Sequence, residues 1–369
     1  AFNKYELTYT SDTYVKGLMT FSNGTVEEFF LEPKNNGTFS GYIDGFLSGT
    51  TQTTISKIQF LPLNKKFMEF SLSALNLSND SIPENMVYLS SEDYKIGINL
   101  AWGGALTYLE DLKNNVVEAQ KQKTFGGTST ELVQVGLSSD FQSSSSFFGT
   151  KYTTQGNINL INCHDTGRLV QQSYYGTGDA SYVPGTYQTV SWPYNPVQGG
   201  NLFNEASKIV DLKVTENEIY IKCRPLDWAK EKEYITPSYM EATYSLENGA
   251  VHAKCRFVDF SGYPEAEATQ EIPAFYCIEP LNNFVYYGGK KPWTNGKLTS
   301  EPDLIFWPDA GYPNFYSKEN WSAFTGEFED SFGIGVYVDG EEAFLAGVFE
   351  REKTTNEDPS KDGPTSYIA

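Results

Sequence analysis

The chain reads as an all-β protein: a small β-sandwich over residues 1–90, then a second strand-rich block over residues 91–369. Three observations carry this. Apolar residues recur in short alternating runs bounded by Asn, Gly and Pro, the pattern of half-buried strands. Aromatic residues make up 15% of the chain, and such side chains fill a pleated face well. Between two of the runs stands Glu247-Asn248-Gly249, a sequence suited to a two-residue hairpin turn.

The first block holds strand-like runs at residues 5–10, 15–21, 27–31, 55–61 and 66–72. Their even spacing suits a sandwich. Residues 78–85, with Pro83, make a loop near its end. The second block starts near Tyr94. Residues 96–109 alternate in polarity around Trp102-Gly103-Gly104, and residues 111–115 form a turn. Residues 120–155 are rich in Gly, Ser and Thr and lack a helical period. They are expected to run as a long excursion beside the sheet, a kind of insertion that is often functional. Strands are then expected at 157–162, 209–214, 218–224, 240–246, 251–257, 283–287 and 333–338. Residues 226–232 suggest a turn or two of helix. From Glu350 the chain is polar until Tyr367-Ile368-Ala369. That ending reads as the start of a further strand in a chain that has been trimmed.

The formal net charge is −20. Phosphate binding needs a basic surface, so nucleic acid is not an expected partner. No apolar run is long enough to span a bilayer, so no membrane insertion is expected. The four cysteines, Cys163, Cys223, Cys255 and Cys277, form no metal-ligand spacing. Neither a metal nor another cofactor is expected. Cys223 and Cys255 lie in strand-like runs, where they either pair across neighbouring strands or stay as buried thiols.

Three clusters could carry chemistry. The densest is His164-Asp165-Thr-Gly-Arg168-Leu-Val-Gln171-Gln172-Ser-Tyr174. It offers an acid or base, a carboxylate, a fork-shaped donor, amides and a phenol, the groups that fix sugar hydroxyls and move a proton. The bland alternative is an Asp–Arg pair locking a strand end. The second is Ser191-Trp192-Pro-Tyr194-Asn195-Pro-Val-Gln198, a loop by its Pro content, where Trp192, Asn195 and Gln198 suit a sugar subsite. The third is Gln270-Glu271-Ile-Pro-Ala-Phe. Here an apolar wall beside Glu271 would raise its pKa and suit acid–base work. Glu279 is a further candidate, whereas Glu265 and Glu267 read as surface carboxylates. Trp293 and Trp307 stand beside turns and could shape a cleft. His252 reads as structural. The stretch Asp339-Gly-Glu-Glu342 fits a solvated turn better than a calcium loop.

Trp102-Gly-Gly-Ala-Leu-Thr-Tyr-Leu109, followed by His164-Asp-Thr-Gly-Arg168, resembles the start of a galactose-mutarotase-like domain. Gln270–Tyr276 and Asn320-Trp-Ser-Ala-Phe324 with Phe332–Tyr337 resemble uncharacterised secreted bacterial proteins of the same type. The resemblance covers residues 91–369 and implies an antiparallel β-supersandwich with a sugar on its concave face. It also implies an extracytoplasmic setting, secreted or at the cell surface. The fold hosts epimerases, glycosidases, lyases and binding domains, so fold alone does not choose among them.

The leading expectation is cleavage of glycosidic bonds in a polysaccharide or oligosaccharide. Asp165 and Glu271 would be the paired carboxylates, with Arg168 and Gln172 orienting hydroxyls. A lyase would use His164 or Tyr174 as base. The alternatives are a non-catalytic carbohydrate-binding protein and a sugar epimerase.

Overall fold

The computed structural model describes residues 1–82, 85–113, 159–161, 166–176, 192–230, 235–264, 267–278, 281–302, 304, 314–326, 333–340, 343–349 and 365–369. Every regular element among them is a strand. His164, Asp165, Glu279 and Trp307 lie outside the described residues, as do Cys163 and residues 120–155.

The first block supplies β1 (Lys4–Ser11), β2 (Val15–Phe21), β3 (Val26–Leu31), β4 (Lys34–Tyr42), β5 (Ile55–Pro62) and β6 (Phe70–Ser78). They form two three-stranded sheets, β4-β1-β6 and β3-β2-β5. Alternation decides which faces meet. Tyr5, Leu7 and Tyr9 of β1, and Val15, Met19 and Phe21 of β2, point into one core with Phe29 and Phe39. Gly17 is required there, because a Cβ would stand 2.2 Å from the Phe29 ring. Val210, Tyr239 and Phe260 of the second block complete this core. Tyr239 also accepts the Phe30 N–H through its phenol at 3.0 Å. The two blocks therefore share apolar surface as well as a chain.

The second block continues with β7 (Met86–Ser90), β8 (Tyr94–Asn99), β9 (Ala105–Asp111), β10 (Gln171–Ser173), β11 (Pro196–Val197), β12 (Lys208–Val214), β13 (Glu218–Arg224) and β14 (Leu226–Asp227). Then come β15 (Ser238–Glu247), β16 (Ala250–Asp259), β17 (Glu271–Ile278), β18 (Leu281–Tyr286), β19 (Thr299–Pro302) and β20 (Asn314–Tyr316). The set closes with β21 (Trp321–Gly326), β22 (Gly333–Tyr337), β23 (Ala343–Phe349) and β24 (Thr365–Ile368). A seven-stranded sheet, β14-β11-β10-β17-β24-β23-β20, is accompanied by β12-β13-β15-β16, β19-β18-β21-β22 and β7-β8-β9. One large apolar core joins them, with Ile98, Leu106, Ile221, Phe275, Phe284, Phe324 and Ile368 among its members. Antiparallel pairing throughout places this chain in the all-β, sandwich-type class.

Local chemistry explains the sharp bends. Asn248 and Gly249 both have positive φ, 52° and 72°, and Glu247 pairs with Ala250. That is the two-residue hairpin expected from the sequence. Gly103 and Gly104 turn the chain between β8 and β9, both at positive φ. A Cβ on Gly103 would stand 1.8 Å from the Gln198 carbonyl oxygen. The apolar ending 367–369 does contribute to a strand, and β24 lies between β17 and β23.

One expectation fails, and one open alternative is resolved. Leu226 and Asp227 do not start a helix, because their backbones pair with Val197 and Pro196, and a turn follows. Cys223 and Cys255 are free thiols. They sit on β13 and β16, and β15 runs between those strands, so no bridge can form.

Candidate functional site

A cleft of about 460 Å³ opens where the first block meets the second. Tyr14, Leu63 and Asn64 form one side. Tyr174, Tyr175, Tyr194, Phe257, Asp259, Phe260, Tyr263 and Gln270 form the other, with Gly176, Pro196, Gly262 and Pro264 between them.

Each ring is held by a specific contact. Tyr174 stacks on Phe257 with centroids 4.3 Å apart and planes 13° from parallel. Its hydroxyl donates to Gln172 Oε1 at 3.1 Å. The backbone of Tyr175 is clamped by the Gln270 amide: Tyr175 N–H donates to Oε1, and Nε2 donates to the Tyr175 carbonyl at 3.0 Å. Tyr194 donates its hydroxyl to Asp259 Oδ1 at 2.8 Å and meets Tyr263 edge-on at 5.2 Å. Burial and the neighbouring Asp259 carboxylate push the Tyr194 phenol far above its ordinary range. Ser261 donates to Asp259 Oδ2 and accepts the Tyr263 N–H at 3.2 Å, and Gly262 takes φ +76° between them. Tyr14 abuts Phe260 edge-on at 5.6 Å, joining the two sides.

Behind this wall lies a buried amide layer holding several residues that the sequence reading placed against substrate. Gln172 Nε2 donates to the Glu241 carbonyl at 2.9 Å while its Oε1 holds Tyr174. Asn195 Nδ2 donates to Ser173 Oγ at 3.0 Å and to the Tyr174 carbonyl at 2.8 Å, and its Oδ1 accepts Trp192 Nε1 at 3.2 Å. Gln198 Nε2 reaches the carbonyls of Gly103 and Gly104 at 3.3 and 3.0 Å, and its Oε1 accepts the Gln172 N–H. Trp192 packs on Trp228 at 4.6 Å. Arg168 is buried as well. Of the expected substrate-binding residues that are described, Tyr174 alone lines the cleft. Gln172 and Asn195 act through it, holding its hydroxyl and its carbonyl. Trp293 lies on a different, exposed surface.

Glu271 stands opposite Ser173 in the sheet, one residue beyond Gln270, and its Oε1 accepts the Tyr367 hydroxyl. Desolvation raises its pKa, and hydrogen bonds from Tyr367, Ser173 and Tyr175 partly offset the rise. Its expected partner carboxylate, Asp165, and the proposed base His164 lie outside the described residues. Among the described residues, no group of His, Cys, Asp or Glu is arranged to hold a metal ion.

Sequence reasoning missed Tyr14, Tyr175, Phe257, Asp259 and Tyr263. The stretch Asp259-Phe-Ser-Gly-Tyr-Pro264 carried a usable signal, since a strand end followed by rings, Gly and Pro is a loop able to present side chains.

No protein-family model matches the chain, and no curated protein matches it. Among solved structures, a similar chain is a 4-alpha-glucanotransferase from Thermococcus litoralis, at 10% identity and a TM-score of 0.30. The match covers 77% of this chain and 34% of that enzyme's chain. A likeness of that degree says nothing of function. No helix among the described residues is long and apolar enough to cross a membrane.

Proposed function

We propose that the chain binds a polysaccharide or oligosaccharide in the cleft between its two blocks. The observation that carries this reading is the composition of the wall: the rings of Tyr14, Tyr174, Tyr175, Tyr194, Phe257, Phe260 and Tyr263 surround one carboxylate, Asp259, and the amides of Asn64 and Gln270. A pyranose has an apolar C–H face that stacks on rings and an edge of hydroxyls that needs donors and acceptors. The cleft volume falls within the roughly 300–1,000 Å³ of small-molecule sites, which combine apolar walls with a few placed polar groups. The test is affinity electrophoresis against a panel of polysaccharides. Tyr263→Ala should weaken binding to the retained glycan about tenfold, the loss of roughly 1.4 kcal/mol of stacking. Unchanged retention in both Tyr263→Ala and Asp259→Asn would remove the cleft from consideration.

A second reading, cleavage of the bound glycan, is favoured by Glu271. Burial holds this carboxyl toward its protonated form beside Tyr175, which lines the cleft. A protonated acid is what glycosidic bond cleavage requires of one partner. Asp165 or His164 would supply the other function. Release of reducing ends that stops in Glu271→Gln would support cleavage. Binding without product after long incubation would leave the binding reading alone. The galactose-mutarotase-like resemblance and the extracytoplasmic setting belong to the same proposal. Superposition on mutarotase-like domains and fractionation of the source cells test them.

A further inference from the structure

Away from the cleft, the sheet β19-β18-β21-β22 presents a second group of rings. Trp293 is 68% exposed and Tyr337 is 58% exposed. Tyr337 stands directly opposite Trp321 across β21 and β22, so both rings share one face. That face continues flat, because Gly335 opposes Ala323 and Gly333 opposes Thr325.

The loop carrying Trp293 is built rather than loose. Trp293 adopts φ +59°, a conformation that is an outlier for a bulky residue and that persists only where surroundings enforce it. The enforcement is visible. The buried Glu319 carboxylate accepts the Trp293 N–H through Oε1 at 2.6 Å and the Trp321 indole N–H through Oε2 at 2.8 Å. One buried carboxylate thus ties two tryptophans together. The buried Tyr287 hydroxyl accepts the Lys291 N–H at 3.0 Å and donates to the Lys291 carbonyl. Gly289 and Gly296 lie so close to the Tyr287 ring that a Cβ would come within 2.6 and 2.8 Å of it. A strained backbone, two buried polar anchors and two obligatory glycines hold an indole out in solvent.

Charge says what would meet it. The chain has a net charge of −20. The segment from residue 286 to residue 298 nevertheless carries Lys290, Lys291 and Lys297 and no acidic residue. All three lysines are exposed, and no carboxylate pairs with them among the described residues. Beside the rings, the buried Glu319 carboxylate is taken up by the two tryptophans, and Asp339 accepts the Tyr337 hydroxyl at 3.4 Å.

We propose that Trp293, Trp321 and Tyr337, with Lys290, Lys291 and Lys297 beside them, form a second glycan-binding surface, and that its ligand is an anionic polysaccharide. The rings take the apolar faces of successive sugars, and the lysines take carboxylate or sulfate groups. Glu319 is a positioning residue that holds the Trp293 backbone and the Trp321 indole.

The test is retention of the full chain in native gels containing polygalacturonate, dextran sulfate or neutral amylose. The parent chain should be retained by at least one acidic polymer, with retention falling as salt rises. Trp293→Ala should weaken that retention about tenfold, and Lys290→Gln/Lys291→Gln/Lys297→Gln should remove most of its salt dependence. The exposure of these four side chains makes loss of folding an unsuitable explanation, and circular dichroism of each variant checks it. The cleft variant Tyr174→Ala/Tyr263→Ala should keep this retention. If the cleft variant loses it while Trp293→Ala keeps it, the anionic glycan occupies the cleft and the second surface is refuted, with the cleft reading intact. Equal retention by amylose in the lysine variant would overturn the anionic class. No retention of the parent chain by either acidic polymer would overturn the whole inference.

Discussion

The junction between the two blocks is open at one end and closed at the other. At the open end, Tyr14 and Asn64 face Tyr263 and Asp259 across the cleft. At the closed end, Arg224 donates to both the backbone and the side chain of Glu28, at 3.3 and 3.2 Å, and its guanidinium lies 5.1 Å from the Phe30 ring centre. Arg256 bridges Glu32 of the first block and Glu241 of the second. Lys222 sits over the rings of Phe39 and Tyr239, at 4.7 and 4.6 Å, and burial pulls its pKa down. A smaller cavity of about 350 Å³ does exist there, but its charges answer one another: Lys208 pairs with Asp44 at 2.8 Å, and Glu27 accepts the Asp44 N–H at 3.1 Å. The difference teaches how the cleft stays available. Docking is secured by ion pairs at one end, so the rings at the other end need not close on each other.

The largest effect is expected from breaking the closed end. Arg224→Met should destabilise the chain by about 3 kcal/mol in urea titrations, because Glu28 loses one of its two cationic partners, and the guanidinium its place on Phe30, within a partly buried seam. A change near zero would mean that Lys16, 2.5 Å from Glu28, suffices alone.

Next comes the pH response of the same end. Burial raises Glu27 from 4.5 to about 7, with the Asp44 N–H and Arg224 pulling the other way. A raised folded-state pKa means that this stabilisation is full below 4.5 and is lost as pH climbs through about 7. Glu27→Gln should abolish that loss, giving a variant about 2 kcal/mol more stable relative to the parent at pH 8 than at pH 4.5. Parallel stability–pH curves for the two proteins would show that the carboxyl is hydrated.

Tyr239→Phe is the next probe. It removes the acceptor of the buried Phe30 N–H and should cost about 1–2 kcal/mol. The smallest stability effect belongs to the open end: Tyr263→Ala should change folding by less than about 1 kcal/mol while weakening glycan binding about tenfold. A large stability loss there would make the cleft rings structural and end the contrast.

Much of the fold was legible. The runs 15–21 and 218–224 coincide with β2 and β13, because strict alternation in a sandwich leaves one register with a buried apolar face. β4 was not legible: Lys-Asn-Asn-Gly-Thr-Phe-Ser-Gly-Tyr lacks an apolar repeat and is a strand through its backbone pairing with β1. The run at 66–72 was placed too early, since Phe67 is exposed and β6 starts at Phe70. The site was less legible for a related reason. Gln171, Gln172 and Ser173 are all buried in β10, between β11 and β17. A polar strand covered on both faces looks, in one dimension, like a polar strand facing ligand. The rings that do line the cleft come from segments near residues 14, 175, 194 and 260, and no local pattern joins them.

The position of β24 bears on how the chain assembles. In the seven-stranded sheet, β10 and β17 lie on one side of it, and β23 and β20 lie on the other. No other described strand joins those halves, yet β24 follows all of them in chain order. During synthesis the two halves must wait with unpaired edges until Thr365–Ile368 arrives. Such long-range closure is slow and leaves intermediates exposed to intermolecular pairing. Yield of soluble protein should therefore depend more on this four-residue strand than on any side chain in the cleft.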